Sequence, residues 1–350
     1  MFCSPTTRPV IRTPAYPWLL DSAGFVRAGH VLKLIDICGS EAALRHLNQR
    51  GEQNLVVTAS LDRTNFRRPI HLWEMITLES RITCVWKTSM EVQVKVHADN
   101  IITGQTREIA TSYLVFVALD PKTRQRIPFP PYKPKTLEER RLVQAAELRK
   151  KNRMAEGKTA PFIPIEAEDQ PVVISRHMTD NDANAQSNVF GGIILSLIDE
   201  AGSLAARKQA LNSDVTGVQQ DRMSFIAPTF IGETVEVKAI VTKTWNTSME
   251  VQVEVEAINP NTLQRRRVAS SYVFYVRLGP NGKPCEVPPF HPQTDVQVKR
   301  AEMADIRRQF RQQEEAQALL LEEAPPPQFL LTVWLQKIKQ AFSGHHATKA

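Results

Sequence analysis

Two carboxylates stand in the middle of apolar stretches. Asp36 lies between Leu34-Ile35 and Ile37-Cys38, and Asp199 follows Ile193-Ile194-Leu195-Ser196-Leu197-Ile198. Apolar surroundings penalise the charged form of an acid, so its pKa rises toward the range where it can take a proton from water at physiological pH. Gly191-Gly192 opens the second stretch. At a helix amino end the backbone N–H groups lack intrahelical acceptors, the dipole favours negative charge, and glycine lets a ligand approach closely. The rival reading is structural: an acid inside an apolar helix caps or salt-bridges a neighbouring loop, and a glycine pair is a common turn. His30 reads as a packed polar group, because no Ser or Cys nucleophile stands near it in a recognisable pattern. Cys3, Cys38, Cys84 and Cys285 show no CxxC or metal spacing, so neither a disulfide framework nor a metal site is expected, and a reducing compartment is the simplest reading.

Helices that are apolar on nearly every side must be wrapped by other structure. Laying the sequence on itself shows what wraps them. Asp36 aligns with Asp199 at an offset of 163, as do Gly29 with Gly192 and Leu34 with Leu197. The heptapeptide Thr88-Ser89-Met90-Glu91-Val92-Gln93-Val94 recurs unchanged from Thr247 to Val253 at an offset of 159, and Asp62-Arg63 matches Asp221-Arg222 at the same offset. The chain is a tandem duplication.

Each copy begins with a short β-prone lead (9–12 and 172–175) and continues into the loop and the buried helix; the first helix stops near Gly51. Four β-prone segments follow, at about 53–60, 77–86, 90–98 and 107–118, then at about 216–225, 234–245, 249–258 and 266–278. Glu91, Gln93 and Lys95 alternating with Val92, Val94 and Val96 predicts a half-buried strand, and links as short as Lys87-Thr88-Ser89 predict antiparallel hairpins. The expected fold class is α+β: in each copy a curved antiparallel sheet wraps one long helix, and the copies pair sheet edge to sheet edge. The expected domains are 1–120 and 171–292, joined by a linker (121–170) with a charged, solvated helix over 136–158. A charged helix and an amphipathic tail follow at 293–350. The tail at 328–342 is too short to span a membrane; it docks on a partner subunit or on the body of the protein, or lies in a membrane interface. The first twenty residues, broken by Pro5, Pro9, Pro14 and Pro17, do not resemble a secretory signal or an amphipathic transit helix. A cytoplasmic protein is expected, with a mitochondrial one still open. The 44 Lys+Arg exceed the 37 Asp+Glu by seven, which favours an anionic partner without naming it.

The order of elements, the buried helix with its central acid and the approach Asp182-Ala183-Asn184-x-x-x-Asn188-Val189-x-Gly191-Gly192 resemble the hotdog fold. The duplication is similar to the two-hotdog acyl-CoA thioesterases. The resemblance covers the chain to about Pro292 and implies a double hotdog with composite sites, each taking an asparagine from one unit's loop and an aspartate from the other unit's helix. Asn184 then corresponds to Asp21 and Asn188 to Phe25, so one complete site pairs Asn184 with Asp36 and a degenerate one pairs Asp21 with Asp199. Asp36 is expected to act as general base, or as a nucleophile forming an anhydride. Asn184 is expected to hold the water or the thioester, and Gly191 or Gly192 to donate an N–H to the carbonyl oxygen. No cofactor is implied, because coenzyme A enters with the acyl-CoA substrate, and its phosphates are assigned to Arg63, Arg67, Arg68 and Arg222, which flank the expected cleft. Trimers of double hotdogs are the family's habit. Hydration of an acyl thioester is a weaker reading, since that chemistry wants a histidine and none stands where Asn184 or Asp21 does. A non-catalytic acyl-CoA-binding protein is respectable because the first loop is broken. Nucleic-acid binding ranks low, resting only on charge and on Arg149-Lys150-Lys151.

Overall fold

The edge strand β1 (Val10–Pro14) leads into helix α1 (Ala28–Leu47), and strands β2 (Leu55–Leu61), β3 (Thr64–Asn65), β4 (Met75–Val85), β5 (Ser89–Asp99) and β6 (Thr106–Leu119) complete the first copy. Helix α2 (Leu137–Thr159) precedes the second copy: β7 (Val172–His177), α3 (Gly191–Gln209), β8 (Val215–Gln220), β9 (Met223–Phe225), β10 (Thr234–Thr244), β11 (Ser248–Ile258) and β12 (Arg265–Arg277). Helix α4 spans Asp295–Glu323. The structure, a computed structural model, describes residues 8–49, 51–159, 162–184, 188–211 and 213–323. Both copies lie in one compact unit that ends at Ala301, and a second unit begins at Glu302. The tail expected at 328–342 lies outside the described residues.

All the strands join one sheet in the order β1-β4-β5-β6-β2-β9-β12-β11-β10-β7, with β3 and β8 paired off that path. The two halves meet edge to edge as expected, and the junction is reciprocal. Ser60 and Leu61 of β2 face Ser224 and Met223 of β9, while Gln219 and Gln220 of β8 face Asn65 and Thr64 of β3. These pairings are related by the offset of 159, so an approximate twofold axis passes through the junction. The stretch expected as one strand at 216–225 is split at Asp221-Arg222, because β8 and β9 reach across to different strands of the first copy.

The alternate residues Met90, Val92, Val94, Val96 and Ala98 of β5, and Met249 to Ala257 of β11, are fully buried against the two helices. The other face of β5 corrects the sequence expectation of a half-buried strand, for Glu91 and Gln93 are buried as well. The helix α2 covers them and is therefore not the solvated linker helix expected. Arg149 Nη2 lies 2.5 Å from Glu91, its guanidinium sits 3.6 Å from the Tyr113 ring centroid, and Arg153 Nη1 lies 2.6 Å from Asp62. Charges on a helix read as solvated until the sheet supplies buried partners of opposite sign.

Candidate active site

Helices α1 and α3 run side by side in opposite directions, and neither caps its own amino end with a side chain. Each is capped from the middle of the other. The Gly192 N–H donates to Asp36 Oδ2 at 2.7 Å, and the Gly29 N–H donates to Asp199 Oδ2 at 2.9 Å. The structural reading of a buried acid is thus realised for both aspartates. The glycines permit it: a Cβ on Gly192 would stand 2.9 Å from Lys33 Cα, and one on Gly29 would stand 2.6 Å from Asp199 Cβ.

The two centres differ in what fills their second oxygen. Thr58 of β2 donates its hydroxyl to Asp36 Oδ1 at 2.6 Å. At the position equivalent to Thr58 the second copy has Gly217, and the phenol of Tyr275, equivalent to Phe116, donates instead to Asp199 Oδ1 at 3.1 Å and to Asp199 O at 3.0 Å. Tyr275 has room because Gly202 lies beneath it, where a Cβ would come within 2.5 Å of the hydroxyl. Thr58 carries no motif of its own. Its signal was the Thr58/Gly217 mismatch between otherwise parallel strands.

Burial drives both acids toward their neutral forms. Asp36 is 0% exposed, and desolvation lifts its carboxyl to about 6 against the hydrogen bonds from Thr58 and Gly192. Asp199 is raised chiefly by burial and further by the charge of Asp21, against the bonds from Gly29 and Tyr275. Asp21 is itself raised by burial. The second centre therefore brings together the two carboxyls that the sequence paired, Asp21 and Asp199.

A cleft of about 920 Å³ opens beyond Thr58 and Gly191, which separate it from the fully buried Asp36. Thr58 and Gly191 line its middle, Ile37, Ser40, Leu44, Leu55 and Leu119 one end, and Asn184, Asn188, Phe190, Phe225 and Phe230 the other. The loop that holds Asn184 is tied by Asn184 N–H to Asn188 O at 2.7 Å and by Asn188 N–H to Asn184 Oδ1 at 3.2 Å. Asp21 and Phe25 repeat both bonds in the first copy, at 2.7 and 3.0 Å, which supports the alignment of Asn184 with Asp21.

Two parts of the sequence assignment are corrected. The Gly192 N–H is already engaged by Asp36, which leaves Gly191, at the first position of α3, as the glycine of the pair that lines the cleft. Arg63 and Arg222 do not face the cleft either. They lie half-buried at the junction in reciprocal ion pairs with buried carboxylates, Arg63 with Asp221 at 2.7 Å and Arg222 with Asp62 at 3.1 Å. Arg67 is exposed beside Glu108 and Arg68 is exposed, both outside the cleft lining. The cations that do line it, Lys33, Arg124 and Arg126, were missed, because Arg124 and Arg126 lie in a turn after β6 with no motif to mark them.

Residues 23–104 and 186–263 match the model of the thioesterase superfamily. The chain is 31% identical over 294 residues to the cytosolic acyl coenzyme A thioester hydrolase of Rattus norvegicus, covering 80% of this chain and 77% of that protein. It is 30% identical over 295 residues to the protein of the same name from Mus musculus, with the same coverage. Among solved structures, a putative oleoyl thioesterase from Lactobacillus plantarum superposes with a TM-score of 0.54 over 78% of this chain and 97% of that one; at 13% identity the likeness is one of fold.

Proposed function

The chain belongs to the thioesterase superfamily as a tandem-hotdog acyl-CoA thioesterase, and from that footing we propose that it hydrolyses fatty acyl-CoA to free acid and coenzyme A at a single composite site. The observation that carries the single site is the asymmetry of the two buried acids: Asp36 accepts from a threonine hydroxyl that lines a cleft, whereas the place of that hydroxyl at Asp199 is filled by Tyr275. In this reading Asp36 is the general base. A carboxyl raised to about 6 is ionised at neutral pH, yet basic enough to take a proton from water as that water attacks the thioester carbon. Thr58, which lines the cleft and touches Asp36 Oδ1, stands between that water and the carboxylate. Asn184 orients the water or the thioester, and the Gly191 N–H at the amino end of α3 stabilises the charge that develops on the carbonyl oxygen. The thiolate of coenzyme A leaves and is protonated, and the acid departs as its carboxylate. Arg124 and Arg126 take the phosphates in place of the arginines at the junction.

Hydrolysis followed with a thiol reagent tests the proposal. Asp36→Ala and Asn184→Ala each abolish turnover without unfolding the protein, and Asp199→Ala costs much less. Equal loss from Asp199→Ala would show that the halves are paired wrongly. The full burial of Asp36, with both oxygens accepting hydrogen bonds, favours one other reading, a protein that binds acyl-CoA without cleaving it. Retained binding with no turnover in the unaltered chain selects that reading. We also infer a cytosolic protein, following the names of its relatives, and trimers of double hotdogs, which sedimentation equilibrium checks.

A further inference from the structure

The duplication supplies an internal control for every surface of the molecule, and one end of the first copy's sheet fails the comparison. Tyr16 and Trp18 stack with ring centroids 4.5 Å apart, and Trp73 meets Tyr16 edge-on at 6.4 Å. Trp18 is 72% exposed and Trp73 54%. At the same end the β5–β6 hairpin turns through Ile101 and Ile102, which are 65% and 90% exposed. The backbone brings these segments together: β1 ends with Pro14 opposite Met75, and Met75 lies opposite Asp99, the last residue before the hairpin tip. Asn100 shapes the turn at the tip, its Oδ1 accepting from the N–H groups of Ile102 and Thr103 at 2.9 and 3.0 Å.

The second copy has the same backbone without these side chains. Trp73 N–H donates to Ala15 O as Gly232 N–H donates to Met178 O, and Asn259 Oδ1 holds its tip as Asn100 does. At the positions of Tyr16, Trp18, Trp73, Ile101 and Ile102 stand Thr179, Asn181, Gly232, Pro260 and Asn261; its tip keeps one exposed apolar residue, Leu263. The fold therefore does not need two tryptophans and two isoleucines at this end. The contrast is sharpest at Trp73, whose φ of +65° lies in the left-handed region where Gly232, at +89°, is at ease. A tryptophan held there against its backbone preference, and left half in water, points to a use outside the fold.

We propose that this end of the first copy is a lipid-docking surface that seats the protein on bilayers carrying anionic headgroups. Indole and phenol rings suit the water–lipid boundary, being apolar in body with a polar edge, and the isoleucine pair projects from a convex tip that enters a bilayer more readily than it fits a flat protein face. Arg12, Arg67 and Arg68 flank the cluster, the first two beside Asp99 and Glu108, and the chain as a whole carries +7. Among the described residues only one end of the sheet carries the cluster. Five successive antiparallel pairings separate β5 from β11, so the β11–β12 tip points the opposite way.

The test is co-sedimentation of the full chain, tail included, with vesicles of phosphatidylcholine alone and of phosphatidylcholine mixed with phosphatidylserine. The variant Trp18→Asn/Trp73→Gly/Ile102→Asn gives the first copy the residues of the second, and its melting temperature reports its fold. The proposal expects binding to the mixed vesicles that weakens with salt and falls about tenfold or more in the triple variant, with no fall in melting temperature. Each single variant should show part of that loss, so a misfolded triple variant would not hide the result. Binding unchanged in the variants would assign membrane contact to another segment and overturn the proposal. So would absence of vesicle binding by the unaltered chain, or a variant that instead loses self-association in sedimentation equilibrium, which would make the surface an interface between copies.

Discussion

At the scale of single residues, the Asp36–Thr58 pair governs how the proposed chemistry depends on pH. The base works ionised, so kcat/KM should fall about tenfold per pH unit below a midpoint near 6. The Thr58 hydrogen bond lowers the carboxyl against the larger effect of burial, so Thr58→Ala should move that limb to higher pH while Thr58→Ser leaves it near its place. A limb that stays put in Thr58→Ala would separate the hydroxyl from the base. The same shift has a sign for stability. A carboxyl raised in the folded state favours folding below the ordinary carboxylate pKa, and that contribution is lost as pH rises through about 6. Asp36→Asn does not ionise, so denaturant titrations across that window should show its stability gaining on that of the unaltered protein as pH rises. Asp36 and Asp199 were legible because an acid in an apolar run is conspicuous. Thr58 and Tyr275 were not, since their importance arises only where β2 and β12 pass the helices.

The elements that set this geometry are the two helices, each capped by the other's acid. Their approach depends on Gly29 and Gly192, where neighbouring atoms leave no space for a methyl group. Gly192→Ala would press its Cβ against the Lys33 backbone, force α3 away from α1 and pull the N–H from Asp36. The expected result is a loss of about 1–3 kcal/mol in urea denaturation together with a collapse of kcat. Loss of activity at unchanged stability would mean that the helices do not meet as closely as described. Sequence periodicity predicted both helices and the order of the strands. It did not predict that β5 is covered on both faces, because the charges of α2 and of Glu91 each read as solvated until they meet.

For the whole molecule, the junction between the copies joins the sheet and fixes the distance between the helices. Its ion pairs, Arg63 with Asp221 and Arg222 with Asp62, hold buried carboxylates, and removing one partner takes away part of what compensates the desolvation of the other charge. Arg63→Ala should therefore cost about 1–3 kcal/mol in stability and leave KM for acyl-CoA unchanged. Arg126→Ala should raise KM with little change in kcat or stability. The opposite pattern would return the phosphate site to the junction. Among the described residues no helix is long and apolar enough to cross a membrane.

The sequence by itself determined the duplication, the two acids in apolar helices, the α+β halves and the alignment of Asn184 with Asp21, because each is a matter of residue type and period along the chain; the hotdog fold came from the resemblance those features carry. Tertiary structure decided which glycine N–H is already spent on a carboxylate, which arginines are locked in ion pairs and why the two acids are unequal. Those outcomes depend on which side chains the reciprocal pairing of the copies brings within hydrogen-bonding distance, and neighbours such as Asp36 and Gly192, 156 residues apart, share no local pattern.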